Sequence, residues 1–193
     1  FTVNTLNVIR ALVYKGDKAE ASDTCDELAR LLRYANAGED MILLSEEFYT
    51  LEQYLKIMRT RYKGMIDIDI DEEDFFEEIL VPRMLLQPIV ENAFIHGLAR
   101  REEGGRIFLR VWQRGNMLHI SVADNGVGMD EEQLAALQRR MLESEQTGRG
   151  IGLGNISRRI SMLYPEGALR IHSRPGRGTV IRCRIPQTER GER

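Results

Sequence analysis

The feature that most restricts this chain is a change of hydrophobic period at Met65. Upstream, Phe48, Leu51, Leu55, Met58 and Tyr62 recur in steps of three and four, which puts them on one stripe of a helix. Downstream, Ile66, Ile68 and Ile70 alternate with Asp67, Asp69 and Asp71, the period-two pattern of a half-buried strand. The upstream stripe could serve as a coiled-coil seam or pack on its own domain, because periodicity names no partner.

The rest of the chain follows the same mixed pattern. Asp17-Lys18-Ala19-Glu20 can act as a capping box, after which Cys25, Leu28, Leu32 and Ala35 keep helical spacing as far as Gly38. Ser45 is the expected N-cap of the helix carrying Phe48 to Tyr62. An apolar helix is expected over about 83–98. Strands are expected around Ile107-Leu109-Val111 and Leu118-Ile120-Val122, with Gly115-Asn116 as the turn. A polar helix over 130–143 and another over about 153–163 come next. A hairpin then turns at Pro175-Gly176-Arg177-Gly178, between Leu169-Ile171 and Val180-Cys183. Residues 67–78 hold eight acids and no base, and read as a solvated loop or as a docking face for a basic partner.

Composition narrows the class of partner. With 193 residues, 42% of them apolar and 30% charged, the chain can bury a core and is not disordered. A net charge of −3 supplies no global basic field for nucleic acid or an anionic membrane. The arginines 170, 174, 177, 182 and 184 read as a solvated hairpin face, without the interleaved aromatics of a nucleic-acid surface. Cys25 and Cys183 form neither a disulfide framework nor a metal cluster, which fits a reducing compartment. No apolar run approaches the ~20 residues that span a bilayer. The chain opens at Phe1 rather than Met, so it is expected to be a fragment whose upstream part could contain a membrane sensor.

Three boxes carry the chemistry. The first is Leu86-Gln87-Pro88-Ile89-Val90-Glu91-Asn92-Ala93-Phe94-Ile95-His96-Gly97. On a helix Asn92 and His96 share a face, with Glu91 beside it, and polar groups on an otherwise apolar helix need partners or a task. Taken alone, this box could equally be a core helix with satisfied polar groups. The second, Asp124-Asn125-Gly126-Val127-Gly128-Met129, lies between a strand and a helix. There the aspartate could accept a hydrogen bond from the exocyclic amine of adenine, which guanine lacks at that position; a plain strand-to-helix turn has the same composition. The third, Gly148-Arg149-Gly150-Ile151-Gly152-Leu153-Gly154-Asn155, leads into a helix, where freed amides suit phosphates. It is neither a Walker motif nor a dinucleotide fingerprint, and a flexible glycine linker would also read this way.

In this order, and with Gly176-Arg177-Gly178-Thr179 in the last hairpin, the boxes resemble the N, G1, G2 and G3 boxes of the GHKL ATPase superfamily. More narrowly, the chain resembles sensor histidine kinases of the LytS/YesM type. The strings that support this are Phe1-Thr2-Val3-Asn4-Thr5-Leu6-Asn7, Leu44-Ser45-Glu46-Glu47, Tyr54-Leu55-Lys56-Ile57, Arg61-Tyr62, Leu86-Gln87-Pro88 and Gly150-Ile151-Gly152-Leu153-Gly154-Asn155.

The resemblance implies an α+β fold: a two-layer GHKL sandwich over residues 41–187. Residues 1–40 would be the remainder of a dimerisation and phosphoacceptor hairpin, and residues 188–193 a tail. It implies ATP and Mg²⁺, with Asn92 as metal ligand, His96 at phosphate oxygens and Glu91 as candidate general base. Asp124 would bind adenine with Thr179 helping through water, while Gly126, Gly128 and Met129 shape the pocket. Gly150, Gly152, Leu153 and Gly154 would face the phosphates, under a mobile lid over 141–150. The accepting histidine would immediately precede Phe1, with Asn4 one helical turn beyond it to orient the imidazole or a water. Thr2 departs from the apolar residue usual there. His119 and His172 read as packing or surface residues. The implied partners are a second copy through the N-terminal helices and a cognate response regulator, with no nucleic acid. The implied setting is the cytoplasmic part of a membrane-anchored bacterial sensor. Another GHKL-type ATPase or protein kinase, or a nucleotide-binding module without chemistry, stands as the alternative.

Overall fold

The computed structural model describes residues 2–35, 41–62, 65–73, 78–98, 104–147 and 152–187. Two helices, α1 (Thr2–Lys15) and α2 (Lys18–Ala35), turn at Gly16 and pack through Val8, Leu12 and Ala21. The Asp17 carbonyl accepts the Ala21 N–H at 3.0 Å, so α2 starts where the capping signal lies. Of its stripe, Leu28 is buried while Cys25 and Leu32 are exposed. Gly38 lies outside the described residues.

Next come β1 (Met41–Leu43), α3 (Leu44–Arg61), β2 (Ile66–Glu72), β3 (Leu80–Pro82) and α4 (Leu86–Asn92). A π-helical turn over Ala93–Leu98 continues α4. The chain ends in β4 (Gly105–Arg114), β5 (Met117–Asp124), α5 (Glu131–Thr147), α6 (Leu153–Leu163), β6 (Ala168–Arg174) and β7 (Gly178–Pro186). Five strands form one sheet in the order β2-β4-β5-β7-β6, with β2 parallel to β4 and the other pairs antiparallel. β1 and β3 form a separate antiparallel pair.

Alternation decides which side chains enter the core. On β4, Ile107, Leu109 and Val111 face inward, opposite Leu118, Ile120 and Val122 on β5 and Ile181, Cys183 and Ile185 on β7. α3, α4 and α6 cover that face, and Leu51, Leu55 and Met58 are buried in the same core. The α3 stripe therefore packs on its own domain. The opposite face is polar: arginines 170, 182 and 184 are exposed there, and Arg110 pairs with Asp71 at 3.1 Å.

Several local expectations need correction. Ser45 does not cap α3: the helix already starts at Leu44, without a side-chain cap, and the Leu44 N–H donates to the Ile79 carbonyl at 2.8 Å. The acidic run is not a loop from residue 67, because β2 extends to Glu72 with Asp67, Asp69 and Asp71 on its exposed face. The helix expected over 83–98 begins at Leu86 and becomes π-helical at Ala93. α5 continues to Thr147, so residues 141–147 of the expected lid are helical, and residues 148–150 lie outside the described part.

One contact fixes the start of α4. Glu47, on α3 and 2% exposed, accepts the Met84 N–H at 2.6 Å and the Leu85 and Leu86 N–H groups at 2.8 Å each. Hydrogen bonds to a charged acceptor contribute about 1.5–3 kcal/mol each. They satisfy amides that no residue of α4's own first turn can reach.

Candidate nucleotide site

The site is built at the inner end of β5. Period two turns Leu118, Ile120, Val122 and Asp124 to the same side, so the strand that supplies core also delivers a carboxylate among the helices. Asp124 is 8% exposed. Its Oδ1 accepts the Gly126 N–H at 2.8 Å and the Thr179 N–H at 3.3 Å. Burial pushes its pKa above the ordinary 3.8, and the two amide hydrogen bonds oppose that shift.

The first and second boxes meet in the backbone. A β-carbon on Gly97 would lie 2.6 Å from Asp124 Cγ, so only glycine leaves that carboxylate where it is. The Gly97 carbonyl accepts the Val127 N–H at 3.0 Å, and a side chain on Gly126 would overlap that carbonyl. The last hairpin closes the other flank. The Val127 carbonyl accepts the Gly176 N–H at 2.7 Å, and Gly128 lies against the Arg174 carbonyl. Ser173 Oγ accepts the Met129 N–H at 2.8 Å, donates to the Gly178 carbonyl at 3.0 Å and lies 2.9 Å from Thr179 Oγ1. Met129, Thr179 and Asp124 are thus held in one hydrogen-bonded cluster.

Two of these residues were not singled out from the sequence as site residues. Gly97 closes the first box, but only the fold shows it against Asp124. Ser173 carries no sequence signal at all. Asn125 proves structural: its Oδ1 accepts the Arg106 N–H at 2.8 Å and its Nδ2 donates to the Gly104 carbonyl at 2.9 Å, tying the second box to the start of β4.

Glu91 and Asn92 are half-buried at the end of α4, and His96 is exposed in the π-helical turn. A π turn bonds i to i+5, so His96 falls just short of a full turn from Asn92 rather than just past it. Phe94 between them stacks on Tyr62, the residue that ends α3 (ring centroids 5.6 Å apart), and meets Tyr54 of α3 edge-on at 6.0 Å.

The third box opens α6, which packs against α4. Gly152 precedes the helix at φ 74° and ψ −126°, a conformation suited to glycine, and its carbonyl accepts the N–H groups of Asn155 and Ile156. The N–H groups of Leu153 and Gly154 are first-turn donors without an intrahelical acceptor, a geometry that favours anions. Both residues are buried. Gly148 and Gly150 lie outside the described residues, and Asn4 lies in α1.

His119 stacks on Trp112 (5.1 Å, 11°), with its pKa lowered by burial and by Arg184 and Arg114. His172 is exposed on β6. Both sit on the sheet as packing and surface residues. Among the described residues no group of three or more His, Cys, Asp or Glu side chains could by itself hold a metal. Asn92, half-buried at the end of α4, offers an amide oxygen, the donor type that suits a hard cation taking its remaining ligands from phosphate and water.

The chain belongs to the histidine kinase-, DNA gyrase B- and HSP90-like ATPase family, whose profile matches residues 78–189. A histidine kinase profile matches residues 1–66. Among curated proteins it is 34% identical over 188 residues to the sensor histidine kinase YesM of Bacillus subtilis (strain 168), covering 96% of this chain and 31% of YesM. It is 31% identical over 191 residues to the sensor protein LytS of Oceanobacillus iheyensis, covering 96% of this chain and 32% of LytS. The chain thus spans about a third of the length of these relatives. The resemblance to LytS/YesM-type sensor kinases and the α+β GHKL fold both hold. The nucleotide-free catalytic domain of histidine kinase ThkA shares the fold, with a TM-score of 0.54 at 21% identity over 77% of this chain and 97% of that one. So does the blue-light activated histidine kinase of Erythrobacter litoralis EL346, with a TM-score of 0.55 at 17% identity over 97% of this chain and 57% of that one. No helix among the described residues is long and apolar enough to cross a membrane.

Proposed function

We propose that this chain is the catalytic core of a two-component sensor histidine kinase. It binds Mg·ATP, passes the γ-phosphoryl group to a histidine and supports relay to an aspartate of a response regulator. In this reading residues 1–40 belong to the dimerisation and phosphoacceptor hairpin, residues 41–187 bind the nucleotide and residues 188–193 form a tail. The accepting histidine is expected immediately before Phe1, and a membrane anchor belongs to the protein upstream of it. ThkA has been crystallised with a response regulator, TrrA, which supports a partner of that class here.

The observation that carries the reading is Asp124. Its buried carboxylate can accept the adenine amine, whereas guanine would present a carbonyl to it and leave both acceptors unpaired, a loss of about 1–3 kcal/mol. Gly97 and Gly126 keep side chains out of the space beside it. The amides of Leu153 and Gly154, with Gly152 before them and Gly150 in the same box, suit the phosphates. His96 supplies a further donor there. Asn92 would hold Mg²⁺, which when bound contributes positive charge beside the phosphates.

Transfer then needs little covalent work from the protein. The imidazole nitrogen attacks the γ-phosphorus; the N–P bond forms as the bond to the bridging oxygen of ADP breaks. Glu91 takes the ring proton, and Asn4, one turn beyond the expected histidine, orients the ring or a water. Binding of ATP and GTP, each with Mg²⁺ and with EDTA, tests the nucleotide step. ATP should bind about tenfold or more tighter than GTP, and the preference should vanish in Asp124→Asn. Equal affinity for both nucleotides in the unmodified chain would overturn the adenine assignment.

A further inference from the structure

We infer that Glu47 is a positioning residue of the nucleotide site, pinning α4 so that Asn92 is presented to the metal-bound phosphates. The inference rests on the proposed roles of Asn92 and Asp124.

A buried carboxylate is unfavourable unless its oxygens are satisfied, and Glu47 satisfies them on three successive amides at the start of α4. That short helix needs the help. It runs only from Leu86 to Asn92 before turning π-helical, too few residues to hold a helical axis by propensity. Leu85 precedes it without a side-chain cap, and Met84 sits at φ 59°, a left-handed conformation that a non-glycine residue keeps only when its surroundings impose it. The Glu47 carboxylate on the Met84 N–H is such a constraint. From α6, Arg159 Nη1 also bonds the Arg83 carbonyl, so the junction before α4 is gripped by both neighbouring helices.

The far end of the first box is gripped by the same helix. Tyr54 of α3 and Tyr62 at its C-cap hold Phe94, two residues past Asn92. α3 therefore fixes the first-box segment on both sides of Glu91 and Asn92: by charge at residues 84–86 and by ring packing at residue 94. α3 also contacts α1 and α2, so Glu47 is the polar end of a strut running from the N-terminal helices to the nucleotide site. Asp124 is carried by β5 and tied to β7 through the Thr179 N–H, and it meets the first-box segment at its far end, at Gly97, whereas Glu47 holds residues 84–86 at the near end, so losing Glu47 should disturb the metal side of the site and spare the adenine side.

The test measures binding of a fluorescent ATP analogue to the chain with Mg²⁺ and with EDTA, for the unmodified protein, Glu47→Gln and Glu47→Asp. The melting temperature of each is recorded, alongside an Ile185→Val control destabilised away from the site. Loss of an outer-shell partner typically lowers metal-linked affinity on the order of tenfold, and Glu47→Gln should lose that much of the Mg²⁺-dependent increment while its EDTA affinity stays unchanged. Glu47→Asp keeps the charge with a shorter reach and should fall between; if Glu47→Gln does not fold, Glu47→Asp is read by the same criterion. The control should lower the melting temperature and keep the increment. A folded Glu47 variant with the full increment, or one that loses EDTA binding equally, overturns the inference. If the unmodified chain shows no Mg²⁺-dependent increment, the nucleotide assignment itself fails, a separate outcome.

Discussion

Gly97 and Asp124 touch: a β-carbon on Gly97 would lie 2.6 Å from the Asp124 carboxylate carbon and as close to Oδ1. The first and second boxes, 27 positions apart by numbering, are thereby one surface. Gly97→Ala must displace Asp124 or the π-helical turn, and overpacking of this kind costs about 1–3 kcal/mol. ATP affinity should fall at least tenfold while the far-ultraviolet circular dichroism stays native. Titration calorimetry checks this, and unchanged affinity would mean that the carboxylate is not the adenine contact.

Asp124 also sets a pH signature. Burial raises its folded pKa above 3.8, the value it returns to on unfolding. The native state therefore binds more protons than the unfolded state between the two values. The stability contributed by this group is fully present below pH 3.8 and is lost as pH rises through the folded pKa. Asp124→Asn keeps the shape without the buried charge, so its melting temperature should gain on that of the unmodified chain as pH rises through this window. ATP affinity should fall in the variant at every pH. A variant whose melting temperature fails to gain on the parent's across this window would contradict the account.

Glu91 is assigned a proton, not the nucleotide. In the intact protein Glu91→Gln should lower phosphotransfer about 10²–10⁴-fold, the usual contribution of a general base. ATP affinity should be nearly unchanged. Single-turnover transfer assays measure the first quantity, and full activity would assign the proton elsewhere.

The two thiols should separate cleanly. Cys25 is exposed on α2, whereas Cys183 is buried on β7 with its pKa pushed up to about 12. A maleimide at neutral pH should label Cys25 alone in the native chain and both residues after denaturation. Native labelling of Cys183, located by peptide mass spectrometry, would show that the β7 core opens.

Gln87, 2% exposed on α4, has a side-chain amide with no hydrogen-bond partner among the described residues. Such a group destabilises by about 1–3 kcal/mol, so Gln87→Met should raise the unfolding free energy by a similar amount. A destabilised variant would show instead that a water or ligand pairs the amide in solution.

Much of this was legible because alternation and spacing are strong local signals. The β4–β5 and β6–β7 hairpins follow from Ile107-Leu109-Val111, Leu118-Ile120-Val122 and the turn residues between them, and α6 from its glycine-marked start. β1 and β3 were not legible: three residues each, Met41–Leu43 and Leu80–Pro82, are too short to show a period and exist by pairing with one another. The cap at α4 was hidden for a related reason. Its acceptor, Glu47, lies 37 positions before Met84, and no local pattern encodes a long-range bond. Ser45 misled because a serine before an apolar stripe is a good local cap signal, while the pairing of Leu44 with Ile79 starts the helix two residues earlier, with Leu43 in the cap position. The sequence singles out Asp124, Gly126 and Gly128 by type, but the contact of Gly97 with Asp124 needed the fold.

The most direct test of the central claim uses the native protein extended upstream through the residue before Phe1, incubated with γ-labelled Mg·ATP. The account predicts protein-bound phosphate that is labile in acid and stable in base. It should be lost when the histidine expected before Phe1 is replaced and in Asn92→Ala. Phosphate that is stable in acid, or ATP hydrolysis with no phosphate on the protein, would contradict the histidine kinase reading and leave an ATPase or a different protein kinase on the same fold.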